Sequence, residues 1–242
     1  MSFLQLTLLL LQGLLALIVG YLIMLATAAG RAPRQTRPQQ GQPAKRFLIL
    51  VPAFNEERLL PELLQSLDQL DYPAELYSVH VVADNCTDQT AAVARREGAV
   101  VHQRTDDTLK GKGYALQWLL GELWAAGEVH DAVLFLDADS IVSQNFLSVM
   151  AARLAQGERV IQAYYTVRDP GESWAGGMRY AGLAALHYLR PQGRMVLGGS
   201  AGLKGNGMVI ARAILSYERP AADQALPAGP PAPAQQMYPS LP

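Results

Sequence analysis

Asp137-Ala138-Asp139 follows directly on the apolar run Ala132-Val133-Leu134-Phe135-Leu136. Two carboxylates one residue apart, past a buried strand, are suited to hold a divalent cation against a diphosphate. The chemistry is that of hard oxygen ligands: Mg²⁺ or Mn²⁺ takes one or two carboxylates and fills its shell with phosphate and water. Acidic residues also end strands simply to begin a solvated turn, so the pair gains meaning from its company. Pro52-Ala53-Phe54-Asn55-Glu56-Glu57 and Asp84-Asn85-Cys86-Thr87-Asp88 likewise follow apolar runs. Lys110-Gly111-Lys112-Gly113 sets cations beside bare backbone at a helix start, where close approach and free N–H groups favour an anion. This is neither a dinucleotide fingerprint, since no Gly-x-Gly-x-x-Gly follows the first strand, nor a Walker loop, since no Ser or Thr follows Lys112.

The elements that must position these groups alternate. Phe47-Leu48-Ile49-Leu50-Val51 is short and wholly apolar, as a buried parallel strand is. Leu59, Leu60, Leu63, Leu64, Leu67 and Leu70 mark one face of a helix over 57–70, with Pro61 in its first turn. A strand over 79–83 follows, then a helix that Thr87 is expected to cap, running to Glu97 and closed by Gly98. A brief strand at 99–101, a helix over 113–126, strands at 132–136 and 159–167 with a Ser143-capped helix between them, and a last strand Met208-Val209-Ile210 complete the series. Segment 174–190 reads as an amphipathic helix carrying Met178, Leu183, Leu186 and Leu189 beside Arg179 and Arg190. Strand and helix in alternation imply an α/β domain on a mostly parallel sheet. Ligands of such sheets bind at the carboxyl ends of strands, where every polar cluster named above lies.

Taken in order, Val51-Pro52-Ala53-Phe54-Asn55-Glu56-Glu57, Ala83-Asp84-Asn85-Cys86-Thr87-Asp88, Gly111-Lys112-Gly113, Asp137-Ala138-Asp139 and Gly202-Leu203-Lys204-Gly205-Asn206-Gly207 resemble the family-2 glycosyltransferases, and within them the membrane-associated, cellulose-synthase-like branch. The resemblance covers residues 47–215. It implies a GT-A nucleotide-sugar-binding fold, a sugar-nucleotide donor (most often a UDP-sugar) and inversion at the anomeric carbon. By the same resemblance Pro52, Ala53, Asn55 and Glu56 would line the nucleoside pocket, Asp84 would hydrogen-bond the uracil and Lys112 would approach the nucleotide. Asp137 and Asp139 would hold the metal, Mg²⁺ or Mn²⁺. Gly205, Asn206 and Gly207 would form a close-approach turn near the donor sugar or a saccharide or lipid-linked acceptor. The chain departs from the family where a general base is expected. After Gly207 the acids are Glu218 and Asp223, no Glu-Asp pair follows the turn, and Gln-x-x-Arg-Trp is missing, so no catalytic base is assigned. The departure implies a C-terminally truncated or altered transferase, with a non-catalytic nucleotide-sugar-binding module as the alternative. A nucleotidyltransferase, which also uses paired carboxylates, fits the motifs less well.

Composition bounds the rest. The formal charge of −1 gives no reason to expect nucleic acid, and the single Cys86 allows no internal disulfide. The four histidines are far apart in sequence and read as ordinary core or surface residues. Residues 3–29 carry no charge and, at about 1.5 Å per helical residue, are long enough to cross a bilayer. Arg31, Arg34, Arg37, Lys45 and Arg46 then fall in a basic linker over 30–46, which by the positive-inside rule stays cytoplasmic. A single-pass anchor in the cell membrane, with the domain inside, is preferred to a cleaved signal peptide: the segment before the run has no Lys or Arg and the run is too long. Residues 216–242 are expected to be a disordered Pro/Ala-rich tail, seven of the last 24 residues being proline.

Overall fold

The computed structural model describes residues 2–32 and 45–215; most of the basic linker and the whole Pro/Ala-rich tail lie outside the described residues. Strand β1 (Phe47–Ala53) shows how the core is built. Its side chains alternate between two faces, as the pleat requires. Phe47, Ile49 and Val51 enter one apolar cluster with Leu60, Leu63 and Leu67 of α2 (Leu60–Asp68) and Leu147 and Met150 of a later helix. Leu48 and Leu50 enter the opposite cluster with Leu116, Leu119 and Leu123. Both faces are covered, so the strand reads as a continuous apolar run. Burying each such side chain is worth about 1.5–3 kcal/mol, and the alternation permits no slip of register.

Around β1 lie β2 (Tyr77–Asp84), α3 (Thr90–Arg96), β3 (Val100–Arg104), α4 (Lys112–Ala125), β4 (Ala132–Phe135), α5 (Phe146–Ala155) and β5 (Val160–Gln162). After them come α6 (Trp174–Ala184), a π-helical turn Ala185–Leu189, α7 (Arg190–Val196), β6 (Met208–Ala211) and the short α8 (Arg212–Leu215). The six-stranded sheet has the order β3-β2-β1-β4-β6-β5. Strands β3, β2, β1 and β4 are mutually parallel, with Ile49 opposite Val79 and Leu134 and Asp84 opposite Arg104. β6 runs antiparallel between β4 and β5. The sheet is thus mostly parallel, as expected.

Several expected boundaries move. The helix after Asp88 starts at Thr90 rather than beside Thr87, because the Asp88 carboxylate takes the Thr90 amide while also accepting from Glu57 N. Neither Thr87 nor Ser143 caps a helix with its side chain. The strand expected over 159–167 is reduced to three residues. Segment 174–190 is helical but runs on to Val196, with a register change inside it. Arg190 N bonds to Ala185 O, an i→i−5 contact, just before Pro191, which has no N–H to continue the ladder. His80 and His102, distant in sequence, stack across β2 and β3 with Nδ1 and Nε2 3.0 Å apart.

The N-terminal run forms one helix, α1 (Phe3–Ala29), long and apolar enough by length and composition to cross a membrane. A Ser2–Gln5 capping box closes its start. Only its last two turns are covered, with Leu25, Ala28 and Ala29 buried where α1 packs on α7.

Candidate functional site

Three loops at the carboxyl ends of β1, β2 and β4 form one rim. Asn55 and Asn85 both take left-handed backbone (φ 57° and 53°), which Asn tolerates better than most residues, and so turn each chain sharply off its strand. The first two loops are stitched together. Asn55 Oδ1 accepts from Thr87 N at 2.8 Å, Thr90 Oγ1 accepts from Glu56 N at 2.8 Å, and Glu57 Oε2 accepts from Gln89 N at 2.9 Å. The Asn55 side chain is therefore engaged in holding the loops. Ala53 is buried with its carbonyl near Cys86 Sγ, and Pro52 is half-buried, so this stretch presents backbone more than side chain.

Asp84 and Arg104 face each other at the ends of β2 and β3, their side chains only 8% and 6% exposed. Arg104 Nη1 donates to Asp84 Oδ1 at 2.6 Å, and Asn85 Nδ2 donates to the same oxygen at 3.2 Å. Among the described residues Asp84 Oδ2 accepts no hydrogen bond, and it is not fully sealed from solvent. Arg104 Nη2 donates to Asp106 Oδ2 and to Leu109 O, both at 2.8 Å. Asp106 is held ionised, its pKa lowered to about 2, by the Leu109 amide and by the hydroxyl and amide of Thr108. The loop so tied ends at Gly111 (φ +112°), the residue before α4, whose first residue is Lys112.

Lys112 Nζ donates to Asp137 Oδ1 and, at 2.8 Å, to Gly205 O. The Gly205-Asn206-Gly207 turn is thereby brought against the acidic loop. Asn206 Oδ1 accepts from Asp137 N at 3.0 Å while its Nδ2 donates to Ser140 Oγ at 2.9 Å. Gln162, at the end of β5, completes the brace. Its Nε2 donates to Asn206 O and its Oε1 accepts from Lys204 N, each at 2.7 Å. Arg104, Ser140 and Gln162 were not singled out from the sequence. An Arg, a Ser and a Gln in polar loops carry no local signal; only the sheet order brings them to the rim.

Charge at the rim is unbalanced. Burial first, then Asp139, Asp88 and Asp137, raise the Glu56 pKa above its ordinary value of 4.5. Lys112 balances Asp137, but Asp139 is exposed and forms no hydrogen bond or ion pair among the described residues. The donors are hard carboxylate oxygens with surplus negative charge, which fits a divalent cation that keeps water or phosphate in its shell. No group of three or more His, Cys, Asp or Glu side chains among the described residues stands ready as a complete cage. Nearby, Tyr165 has its pKa raised by burial and then by Asp137, and its ring lies 4.3 Å from that of His187 in the π-helical turn. Tyr164 meets Tyr188 edge to face at 5.5 Å.

The fold occurs in known proteins. The mannosyltransferase PcManGT of Pyrobaculum calidifontis, solved with GDP-Man and Mn²⁺, superposes with a TM-score of 0.59 over 84% of this chain and 55% of that one, at 21% identity, and shows the GT-A fold. The chain is 32% identical over 145 residues to a 4,4'-diaponeurosporenoate glycosyltransferase of Staphylococcus haemolyticus, a match covering 56% of this chain and 36% of the relative. It is 29% identical over 200 residues to a beta-monoglucosyldiacylglycerol synthase of Synechocystis, covering 80% and 40%. The chain thus spans well under half the length of these relatives. The family model described as glycosyltransferase like family 2 matches residues 43–231, and to that family the chain belongs.

Proposed function

We propose that this chain binds a nucleotide-sugar, a UDP-sugar, at the carboxyl rim of its sheet and serves transfer of the sugar to an acceptor, with a divalent cation and inversion at the anomeric carbon. The observation that carries the reading is the meeting of Glu56, Asp88, Asp137, Asp139, Lys112 and the 205–207 turn at one sheet edge, with Asp139 making no hydrogen bond or ion pair among the described residues. Asp137 and Asp139 are the residues that would hold Mg²⁺ or Mn²⁺, and such an ion supplies positive charge to a departing diphosphate. Lys112, already fixed between Asp137 and Gly205, adds a second positive group beside the same place. Asn206 holds the main chain of the acidic loop, so the carboxylates need little reorganisation when the donor arrives. Asp84 Oδ2, which accepts no hydrogen bond among the described residues, would accept an N–H from the base.

The acceptor we infer is lipid or lipid-linked. The two relatives named above are named for a diaponeurosporenoate and a monoglucosyldiacylglycerol, both lipid in character. Here α1 supplies a membrane-length helix, and the turn bearing His187 joins α1's partner α7 to the Tyr165 side of the site. On this reading the protein is held in the cell membrane by α1, with the sheet domain on the cytoplasmic face, in the membrane-associated branch of its family.

The test is calorimetric titration of the detergent-solubilised chain with UDP and with GDP, each with and without Mn²⁺. Wild type is expected to bind UDP more tightly with Mn²⁺ than without, by about tenfold or more. Asp139→Asn is expected to lose the Mn²⁺ dependence while keeping its thermal unfolding midpoint. An unchanged Mn²⁺ dependence in Asp139→Asn overturns the metal assignment, and no binding of either nucleotide by wild type overturns the donor reading.

A further inference from the structure

Arg104 stands at the corner where two grips on a donor would meet. Its guanidinium forks: Nη1 goes to Asp84, and Nη2 goes to Asp106 and the Leu109 carbonyl. The corner is closed around it by Asn85, whose amide donates to Arg104 O at 2.8 Å and whose Oδ1 accepts from Asp106 N at 2.9 Å. Arg104 is itself buried, and three of its five guanidinium N–H groups are taken by Asp84, Asp106 and Leu109. A buried ion pair of this kind adds little to stability compared with well-packed apolar residues. Its particular consequence is geometric. A planar fork fixes two partners in relation to each other, which a flexible ammonium does not.

We propose that Arg104 is a positioning residue that sets base recognition and diphosphate recognition together. Through Nη1 it occupies Asp84 Oδ1 and orients the carboxylate so that Oδ2 is the oxygen offered to a base N–H. Through Nη2 it ties down the loop 105–111, which ends at Gly111 and delivers Lys112 to Asp137 and Gly205. The inference rests on the nucleotide-sugar reading above. It adds that the preference for a base with an imide N–H depends on Arg104 through the carboxylate it holds, rather than through a contact of its own.

The experiment measures binding of UDP and of N3-methyl-UDP to the whole chain in detergent with Mn²⁺, alongside thermal unfolding. Wild type is expected to favour UDP over the methylated analogue by about tenfold or more, since the analogue lacks the donor and leaves a carboxylate oxygen unpaired. In Arg104→Gln the preference should collapse to within about twofold and UDP affinity should fall at least about tenfold. Arg104→Lys keeps a charge beside Asp84 but loses the fork, so it should retain the preference yet lose UDP affinity, matching Asp106→Asn. Should Arg104→Gln fail to fold, that Lys and Asn pattern decides the matter. UDP affinity and preference unchanged in the folded Arg104 variants, or in Arg104→Lys and Asp106→Asn together, overturn the role of Arg104 while leaving the donor reading intact. Failure of wild type to bind UDP at all overturns the donor reading, and the inference with it.

Discussion

Glu56 is where the unbalanced charge of the rim can be measured. Its raised pKa means that burial and the three neighbouring aspartates oppose its ionised form in the folded chain, with nothing comparable in the unfolded one. Between 4.5 and the raised value the folded state holds more protons than the unfolded state. Stability is therefore lost as pH rises through that window and is not regained above it. Glu56→Gln removes the repulsion at the cost of one carboxylate. The variant should unfold at the same temperature as wild type at pH 4, and at a higher temperature at pH 8 by no more than about 2 °C given solvent screening, in thermal scans. Adding Mn²⁺ at pH 8 should shrink the gap, because a cation held by Asp137 and Asp139 supplies the counter-charge that the substitution otherwise makes unnecessary. A variant less stable than wild type at pH 8 would show that the Glu56 carboxylate is held by attraction instead.

The 205–207 turn makes the corresponding argument for an element. Gly207 has φ +66°, and a Cβ there would lie 3.0 Å from that of Ala163. Its N–H goes to Phe135 O and its carbonyl receives the Ala163 amide, so it cannot drift without opening the β4–β6–β5 corner. Gly207→Ala should cost about 1–3 kcal/mol in urea unfolding and should weaken UDP binding as Asn206 shifts away from Asp137. The Gly-Asn-Gly string was legible as a tight turn, and β1 and β4 were legible because a strand covered on both faces is apolar throughout. What the turn touches was not legible. Gln162 ends β5 early because its side chain is drawn to Asn206 and Lys204, partners more than 40 residues away that no local pattern exposes. The same applies to Arg104, which reads as a solvated strand end until β3 is laid beside β2. The antiparallel direction of β6 was hidden too, since four residues after an irregular loop record no crossover.

At the scale of the whole molecule, the joint between α1 and the sheet domain decides whether a membrane helix and a donor site act as one object. That joint is unusually close. A Cβ placed on Gly193 of α7 would stand 2.2 Å from the Leu25 carbonyl oxygen and 2.8 Å from the Leu25 carbonyl carbon and Cα. Those are backbone atoms that cannot turn aside, as a side chain could. Small residues at a helix crossing let two backbones approach and gain packing along their length. Here the approach buries Leu25, Ala28 and Ala29, the covered part of α1. Gly193→Ala must therefore push the helices apart while leaving both apolar clusters of the sheet untouched. Hydrogen exchange should then speed up at least about tenfold at the amides of 190–196 other than Pro191 and at the last turn of α1, with the β1 and β4 amides unchanged. UDP binding, which draws on groups at the sheet rim, should stay within about twofold of wild type, while transfer to a lipid acceptor in vesicles should fall. Unaltered exchange at 190–196 would mean that α1 is not seated on α7 in solution; altered exchange with undiminished lipid transfer would separate the anchor from acceptor delivery.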